Sequence, residues 1–352
     1  MKTVILGKTG IEVPQNAFGA LPIQRDSKEV AVGLVRGAYE GGMRFFDTAR
    51  AYSDSEEKVG EALHDVRGSV YIATKSGAKT PDELRRQLDI ETQWDSFQED
   101  LTSMGIQDCI DIYQFHQSDI CYRPGDGSGM YEAMEDFRRQ GMIRHIGITS
   151  HNIAVAEEAA ASGLYATLQF PFSYLSGERE LALVQSCREH GVGFIAMKAL
   201  AGGLITNSRA AFAYMSEQEG VLPIWGIQRE HELAEWLSYF DAPPVLDDEL
   251  RTVIEHDREE LALDFCRGCG YCMPCPQGIT INQCARMSLM LRRAPSENWL
   301  SEHWQQEMKK IETCRGCGAC SKKCPYGLDT PALLKKNYED YKRVLAGEVS
   351  VR

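Results

Sequence analysis

The sequence predicts an α/β fold: a (β/α)8 barrel of parallel strands, followed by a small α-helical, cysteine-rich domain. Three observations carry that expectation. Short apolar runs alternate with amphipathic stretches eight times before about residue 240. The Ala242-Pro243-Pro244 stretch then breaks the alternation, near the ~250 residues at which such a barrel closes. Nine of the twelve cysteines lie after residue 265.

The elements follow in order. A short hairpin is expected over Thr3–Leu6 and Ile11–Pro14, then strands over Asn16–Ala20, Met43–Thr48, Val70–Lys75, Ile110–His116, Ile143–Ser150, Ala166–Pro171, Gly193–Ala199 and Pro223–Gln228. Between them, Ser27–Glu40, Pro81–Met104, Gly129–Gln140 and Glu178–His190 read as helices. An open doubly wound sheet is disfavoured, because the first strand lacks a G-x-G-x-x-G turn opening a helix. The barrel is expected over residues 1–245, an acidic helical linker over 246–264, and the cysteine-rich domain over 265–352. Within that domain, Asn282–Arg292, Glu297–Ile311 and Pro331–Leu345 read as long helical segments.

The net charge is −13, unevenly spread. From Phe265 onward there are 14 basic and 8 acidic side chains, so the preceding residues bear −19. Such an acidic body argues against a nucleic-acid footprint; the basic tail is read as docking on it. The opening residues lack a long apolar h-region, and no stretch approaches the ~20 apolar residues of a membrane span. A cytoplasmic protein without nucleic-acid or membrane partners is expected.

Dense cysteine at regular pitch in such a chain points to metal rather than disulfides. The first motif is Cys266-x2-Cys269-x2-Cys272-x2-Cys275-Pro276, and the second is Cys314-x2-Cys317-x2-Cys320-x3-Cys324-Pro325. The second matches the spacing of the bacterial ferredoxin run, in which three thiolates wrap one cubane and the fourth reaches the other. That resemblance implies two [4Fe–4S] clusters in a ferredoxin-like domain. One would be held by Cys266, Cys269, Cys272 and Cys324, the other by Cys314, Cys317, Cys320 and Cys275. The first motif is one residue short before Cys275. Zinc is the alternative, but two such close-pitched quartets, each ending in Cys-Pro, suit cubanes better. Cys109, Cys121 and Cys187 read as isolated thiols, and Cys284 as a helix residue.

Ionisable groups close three successive strands: Asp47 the second, Lys75 the third and His116 the fourth, with Tyr52 in the loop after the second. In a barrel those ends converge on the face where catalysis sits. Taken singly, Asp47 and Lys75 suit a structural ion pair and His116 a core histidine. All four at such positions suit a site.

The opening Leu6-Gly7-Lys8-Thr9-Gly10, the run Phe46-Asp47-Thr48-Ala49-x2-Tyr52, the pair Thr74-Lys75, and Asp111-x4-His116 together resemble the aldo-keto reductase superfamily, over about residues 1–240. With the cysteine tail, the chain is similar to that superfamily's ferredoxin-tailed bacterial branch. The resemblance implies that Tyr52, Asp47, Lys75 and His116 are catalytic. Tyr52 would be the general acid/base, its pKa lowered by Lys75. Asp47 would orient Lys75, and His116 the carbonyl oxygen. It also implies NADP(H) or NAD(H) lying extended across the barrel top. Gly19, Thr149, Ser150 and Gln169 would border the nicotinamide, Met197 standing where many relatives have an aromatic. Lys198, Leu200 and Gly202 match the pyrophosphate loop. Gly226, Gln228 and Arg229 of the eighth strand lead to Glu232 and complete the cofactor-binding set; Glu232 would accept from the ribose 2′-OH, with Arg229 a compensating charge. Ser150 departs from the family's pattern, and capping of the next helix also explains it. Glu232 in place of an arginine leaves NAD against NADP open.

The function expected is reduction of an aldehyde or ketone, or the reverse oxidation of an alcohol. The competing reading is a nucleotide-binding redox sensor or electron-transfer protein with little turnover. No flavin motif joins two-electron hydride chemistry to one-electron clusters. A structural or docking role for the clusters is therefore favoured over relay to a redox partner protein. The loop Gln117–Gly129 should border the pocket, with Arg123 a solvated charge.

Overall fold

The computed structural model describes residues 1–88, 109–261, 265–293 and 296–351. The chain divides into two compact units. The first comprises Met1–Phe172, Ser176–Ala199 and Phe212–Val245, the second Ser173–Leu175, Leu200–Ala211 and Leu246–Arg352.

In the first unit, β1 (Thr3–Ile5) and β2 (Glu12–Pro14) form an antiparallel hairpin. Eight parallel strands then close a barrel: β3 (Ala17–Gly19), β4 (Phe45–Asp47), β5 (Tyr71–Ser76), β6 (Ile110–Phe115), β7 (Ile143–Thr149), β8 (Thr167–Pro171), β9 (Gly193–Met197) and β10 (Val221–Gly226), with β10 beside β3. Six of the eight runs expected as barrel strands contain one of these; β5 runs one residue past the expected Lys75, and β10 begins two residues before the expected Pro223. Their helices are α1 (Lys28–Glu40), α2 (Ser55–Leu63), α3 (Pro81–Leu88), α4 (Met130–Arg139), α5 (Ile153–Ala161), α6 (Glu178–His190), α7 (Ser208–Ser216) and α8 (Glu230–Asp241). The helix expected over Pro81–Met104 is seen in its first eight residues as α3; the rest lies outside the described residues.

Strand parity positions the site. Side chains two apart on a strand share a face. Phe45, Ala73, Ile112 and Ile195 belong to one buried cluster with Val4, Leu6, Ile11 and Val13 of the hairpin region. That cluster plugs one end of the barrel. Two residues further along the same strands stand Asp47, Lys75, Gln114 and Met197. The same inward parity that builds an apolar floor thus builds a polar layer above it. Gly147 makes room in that layer, for a Cβ there would come within 2.8 Å of Gln114 Cγ.

In the second unit, α9 (Asp248–Leu261) is followed by α10 (Ile281–Cys284), α11 (Met287–Arg293), α12 (Ser296–Trp299), α13 (Glu302–Lys309), α14 (Ala319–Lys322) and α15 (Thr330–Leu345). The long segments expected at Asn282–Arg292 and Glu297–Ile311 are therefore broken into shorter helices. One break has a clear cause. The buried Asn337 of α15 donates to Ala285 O (3.1 Å) and accepts from Ser288 N (2.8 Å), taking groups that a continuous helix would pair internally. Leu291, Met308, Ile311, Leu334, Tyr341 and Val344 form the core with the cysteine loops. Arg292 grips Asp340 with two hydrogen bonds, at 2.6 and 2.8 Å. Among the described residues no helix is long and apolar enough to cross a membrane.

Candidate active site

Asp47, Lys75 and His116 reach the barrel mouth because Asp47 ends β4, Lys75 is the penultimate residue of β5 and His116 directly follows β6, and Tyr52 joins them from the turn before α2. Lys75 Nζ donates to Asp47 Oδ2 at 2.5 Å and to Thr48 O at 2.6 Å. Both side chains of the pair are almost wholly buried. The ammonium lies 4.9 Å from the Tyr52 ring centroid, near enough for the two groups to act on one another's charge. Tyr52 in turn meets His116 edge to face, with ring centroids 5.8 Å apart. The structure thus brings all four expected residues together.

The electrostatics differ from expectation in one respect. The phenol of Tyr52 stands above its ordinary value, because burial raises it by more than the Lys75 charge lowers it. An ammonium alone would have brought it down. Burial also opposes the charge on Lys75, but Asp47 and Tyr52 more than offset that and hold the amine above its usual range. Burial, with the charges of Lys75 and Lys79, pulls His116 down to about 3. Its ring is therefore neutral at physiological pH.

Several neighbours were not singled out from sequence. Gln114 Nε2 donates to Gln169 Oε1 at 3.0 Å; burial raises the Asp47 carboxyl above its ordinary value, while Lys75 and, more weakly, the two amides pull against that. Asp47 Oδ1 and Gln114 Oε1 nonetheless lack a well-aligned hydrogen bond among the described residues. Buried Glu56 accepts from Thr74 Oγ1 at 2.5 Å and faces Arg50 at 3.6 Å. His151 is buried after β7, where desolvation and the charge of Lys198 hold it well below its usual range. Parity on the inward face signals Gln114. His151 gave no sequence signal beyond its place after Ser150.

Backbone strain marks the same loops. Ser53, Gln117 and Lys198 have φ of 48°, 48° and 56°, left-handed values that side chains disfavour. Each directly follows an expected site residue: Tyr52, His116 and Met197.

The other expected nucleotide residues are placed as follows. Gly19 and Gly226 end β3 and β10, where a Cβ would come within 3.1 Å of Trp225 O and Pro22 Cγ respectively. Thr149 Oγ1 accepts from Gln117 N at 2.7 Å. Ser150 Oγ donates to Ser118 O at 2.8 Å and accepts from Asn152 N at 3.0 Å, while Asn152 caps α5. Gln228 Nε2 donates to Asp26 Oδ1 at 3.2 Å. Glu232 Oε2 accepts from the backbone of Gln228 (2.8 Å) and Arg229 (3.1 Å), closing the N-terminus of α8. Leu200 and Gly202 lie in the segment assigned to the second unit. Arg123 pairs with Glu158 at 2.5 Å on the surface.

The motif cysteines line two cavities among the described residues of the second unit. Cys266, Cys269, Cys272 and Cys324 line the first, with Ile281, Leu328 and Leu333. Cys275, Cys314, Cys317 and Cys320 line the second, which Cys272 also borders. Burial pushes the Cys272 thiol up to about 12, and the sulfurs of Cys266, Cys269 and Cys324 push the same way. Cys324 therefore sits with the first motif although it belongs to the second in sequence. Backbone N–H groups of Gly268 and Gln277 point at Cys266 Sγ and Cys275 Sγ, each at 3.4 Å. Cys284 stays apart in the helical core, 3.9 Å from Glu307 O.

Comparison with known proteins adds two domain matches: the aldo/keto reductase family over residues 16–217 and a 4Fe-4S dicluster domain over 265–329. Aldo-keto reductase str7 of Strobilurus tenacellus is 28% identical over 210 residues, covering 55% of this chain and 60% of that protein. The uncharacterized oxidoreductase YqkF of Bacillus subtilis is 26% identical over 212 residues, covering 57% and 66%. The chain thus spans about three-fifths of the length of these curated relatives. Among solved structures, the holo form of aldo-keto reductase AKR11C1 from Bacillus halodurans superposes with a TM-score of 0.59 at 20% identity, covering 73% of this chain and 96% of that one. A Bombyx mori aldo-keto reductase in complex with NADP gives 0.54 at 20% identity, covering 72% and 92%.

Proposed function

This chain belongs to the aldo/keto reductase family, and on that premise we propose that it is an NAD(P)-dependent oxidoreductase interconverting a small carbonyl compound and its alcohol. The observation that carries the reading is the buried Asp47–Lys75 pair with Tyr52 beside its ammonium and His116 against the Tyr52 ring.

When bound, a reduced nicotinamide supplies the hydride. The protein's part is the proton. Tyr52, held above its ordinary value, keeps its phenolic hydrogen at neutral pH and donates it to the carbonyl oxygen as that oxygen gains charge. Lys75, fixed by Asp47, stabilises the phenolate left behind. His116 is neutral, so it orients the oxygen through an N–H without competing as an acid. Gln169, Thr149, Ser150 and Met197 would border the nicotinamide. Lys198 would meet a phosphate, together with the Leu200 and Gly202 backbone. Gly19, Gly226, Gln228, Arg229 and Glu232 complete the strand-end set. Two features support a fit: the orphaned acceptors Asp47 Oδ1 and Gln114 Oε1 in the polar layer, and the left-handed residues flanking it.

In the same reading the dicluster domain holds two [4Fe–4S] clusters. Cys266, Cys269, Cys272 and Cys324 bind one; Cys275, Cys314, Cys317 and Cys320 bind the other. The matching cavity linings support these sets, as do the backbone N–H groups aimed at sulfur. Twelve unpaired cysteines suit the cytoplasm.

The test is Tyr52→Phe in the anaerobically purified holoprotein, followed by NAD(P)H oxidation over an aldehyde and ketone panel. Loss of the general acid should lower kcat by about 10²–10⁴-fold with dinucleotide affinity unchanged. Equal turnover by both proteins, or none by the wild type with any substrate, rejects the enzymatic reading.

A further inference from the structure

Arg286 lies between α10 and α11 and is 8% exposed. Its Nη2 donates to Gly202 O at 2.9 Å. Its Nη1 lies 2.8 Å from where a Cβ would stand on Gly202, and equally 2.8 Å from where one would stand on Gly268. Both glycines are left-handed, at φ of 67° and 66°. The guanidinium is therefore held between two backbones that only glycine permits to approach so closely. Gly202 belongs to the loop after β9, and Gly268 to the first cysteine motif. These segments and Arg286 all lie in the second unit.

A buried guanidinium needs a counter-charge. Among the described residues, the acidic group that acts on it is the thiol of Cys266, which burial itself disfavours as an anion. Its Nε has no hydrogen-bond partner there. A cluster on Cys266, Cys269, Cys272 and Cys324 would provide the missing negative charge. The one cation would then face the cluster while gripping the carbonyl of the loop assigned to the dinucleotide.

We infer that Arg286 is the positioning residue through which the first cluster and the loop Leu200–Gly203 respond to one another. Adding an electron to the cluster draws the guanidinium toward sulfur and loosens its hold on Gly202 O. Linkage is reciprocal, so a loop ordered by ligand makes the cluster harder to reduce. The inference rests on the two-cluster reading for its charge, and on the dinucleotide reading only for its physiological ligand.

The test uses anaerobic holoprotein with its iron content counted. Cluster potentials are read by EPR-monitored titration, and amide hydrogen exchange of residues 200–205 is read before and after reduction with dithionite. In the wild type, reduction should speed loop exchange by about fivefold or more, the lower end of ordinary coupling. Arg286→Met should lower the first cluster's potential and abolish the redox effect on the loop. Arg286→Lys should keep most of the potential, because it keeps the charge, but lose the loop effect with the planar fork. A wild-type loop whose exchange ignores the redox state overturns the inference, as does an Arg286→Met protein with an unchanged potential. If Arg286→Met fails to hold iron, the wild type and Arg286→Lys still decide. NADP⁺ and NAD⁺ binding is measured separately, so a protein that binds neither refutes the dinucleotide reading without touching this result.

Discussion

Replacing Lys75 by Met tests the buried pair directly. At 2.5 Å and an effective dielectric of about 20, the attraction between unit charges is roughly 7 kcal/mol. Desolvation of both groups cancels much of that. What the substitution exposes is the cost of leaving Asp47 buried and alone, about 3–5 kcal/mol. For a barrel of this size that is on the order of 6–20 °C in melting temperature. The deficit should depend on pH. Burial already holds the Asp47 carboxyl above its unfolded value beside Lys75; without that cation the shift grows, so the folded state binds the proton more tightly still. The variant should approach wild-type stability below about pH 4, the unfolded aspartate value, and lose ground as pH rises through the raised folded value. Adding Asp47→Asn removes the stranded charge, so the double variant should be more stable at pH 7 than Lys75→Met alone. Thermal melts of the three proteins from pH 4 to 8 decide the matter. A Lys75→Met deficit under about 1 kcal/mol, or one independent of pH, refutes the argument that this pair is charged and desolvated.

The pH dependence of turnover follows from the other two groups. Tyr52 lies above its ordinary value and His116 is pulled down to about 3. Carbonyl reduction should therefore keep its acid through pH 9 and show no inflection near 6.5 from His116; a kcat/KM limb at that pH that vanishes in His116→Gln contradicts this. Cys324→Ser should remove the first cluster and spare the second, and Cys275→Ser the reverse. Each should leave about four of the roughly eight iron atoms that two cubanes supply. Loss of the second cluster from Cys324→Ser, with the first retained, would reverse the ligand sets.

The barrel was legible because its strands carry their own parity. An inward residue at the floor fixes the face of the residue two further on, so Asp47, Lys75 and Met197 declare themselves from sequence once the strand is known. Gln114 obeys the same rule, but the family resemblance draws attention to His116 instead. The helix break at Ala285–Arg286 was not legible, since the group that causes it, Asn337, is 52 residues from Ala285 in sequence. The direction of the Tyr52 shift was missed for a related reason. Sequence names its charged neighbour but not the desolvation that outweighs it. Glu232, read as a ribose contact, is seen with its carboxylate on the backbone that opens α8; a helix N-terminus and a ligand hydroxyl ask for the same acceptor, and sequence does not separate them.

A second buried ion pair shows what separates structure from chemistry here. Asp111 begins the stretch matched to the family through His116, yet Ile112 takes the inward position beside it, so Asp111 faces away from the barrel interior. It meets Arg67 Nη2 at 2.8 Å and Arg144 Nη1 at 3.0 Å and accepts from Ile72 N at 2.9 Å. Arg67 also donates to the carbonyls of Val70 and Cys109. None of the left-handed non-glycine residues among the described residues adjoins this pair in sequence. Burial and charge are thus as great as at Asp47–Lys75, but every partner is structural. Asp111→Ala strands the Arg67 guanidinium and should cost about 3–5 kcal/mol, while kcat per folded molecule stays within about twofold of wild type, because no transition-state contact is lost. Lys75→Met should lose both stability and turnover. If Asp111→Ala, assayed well below its melting temperature, lost turnover as severely as Lys75→Met, then burial of an ion pair would explain the sensitivity of both sites, and the mouth of the barrel would have no special claim to the chemistry.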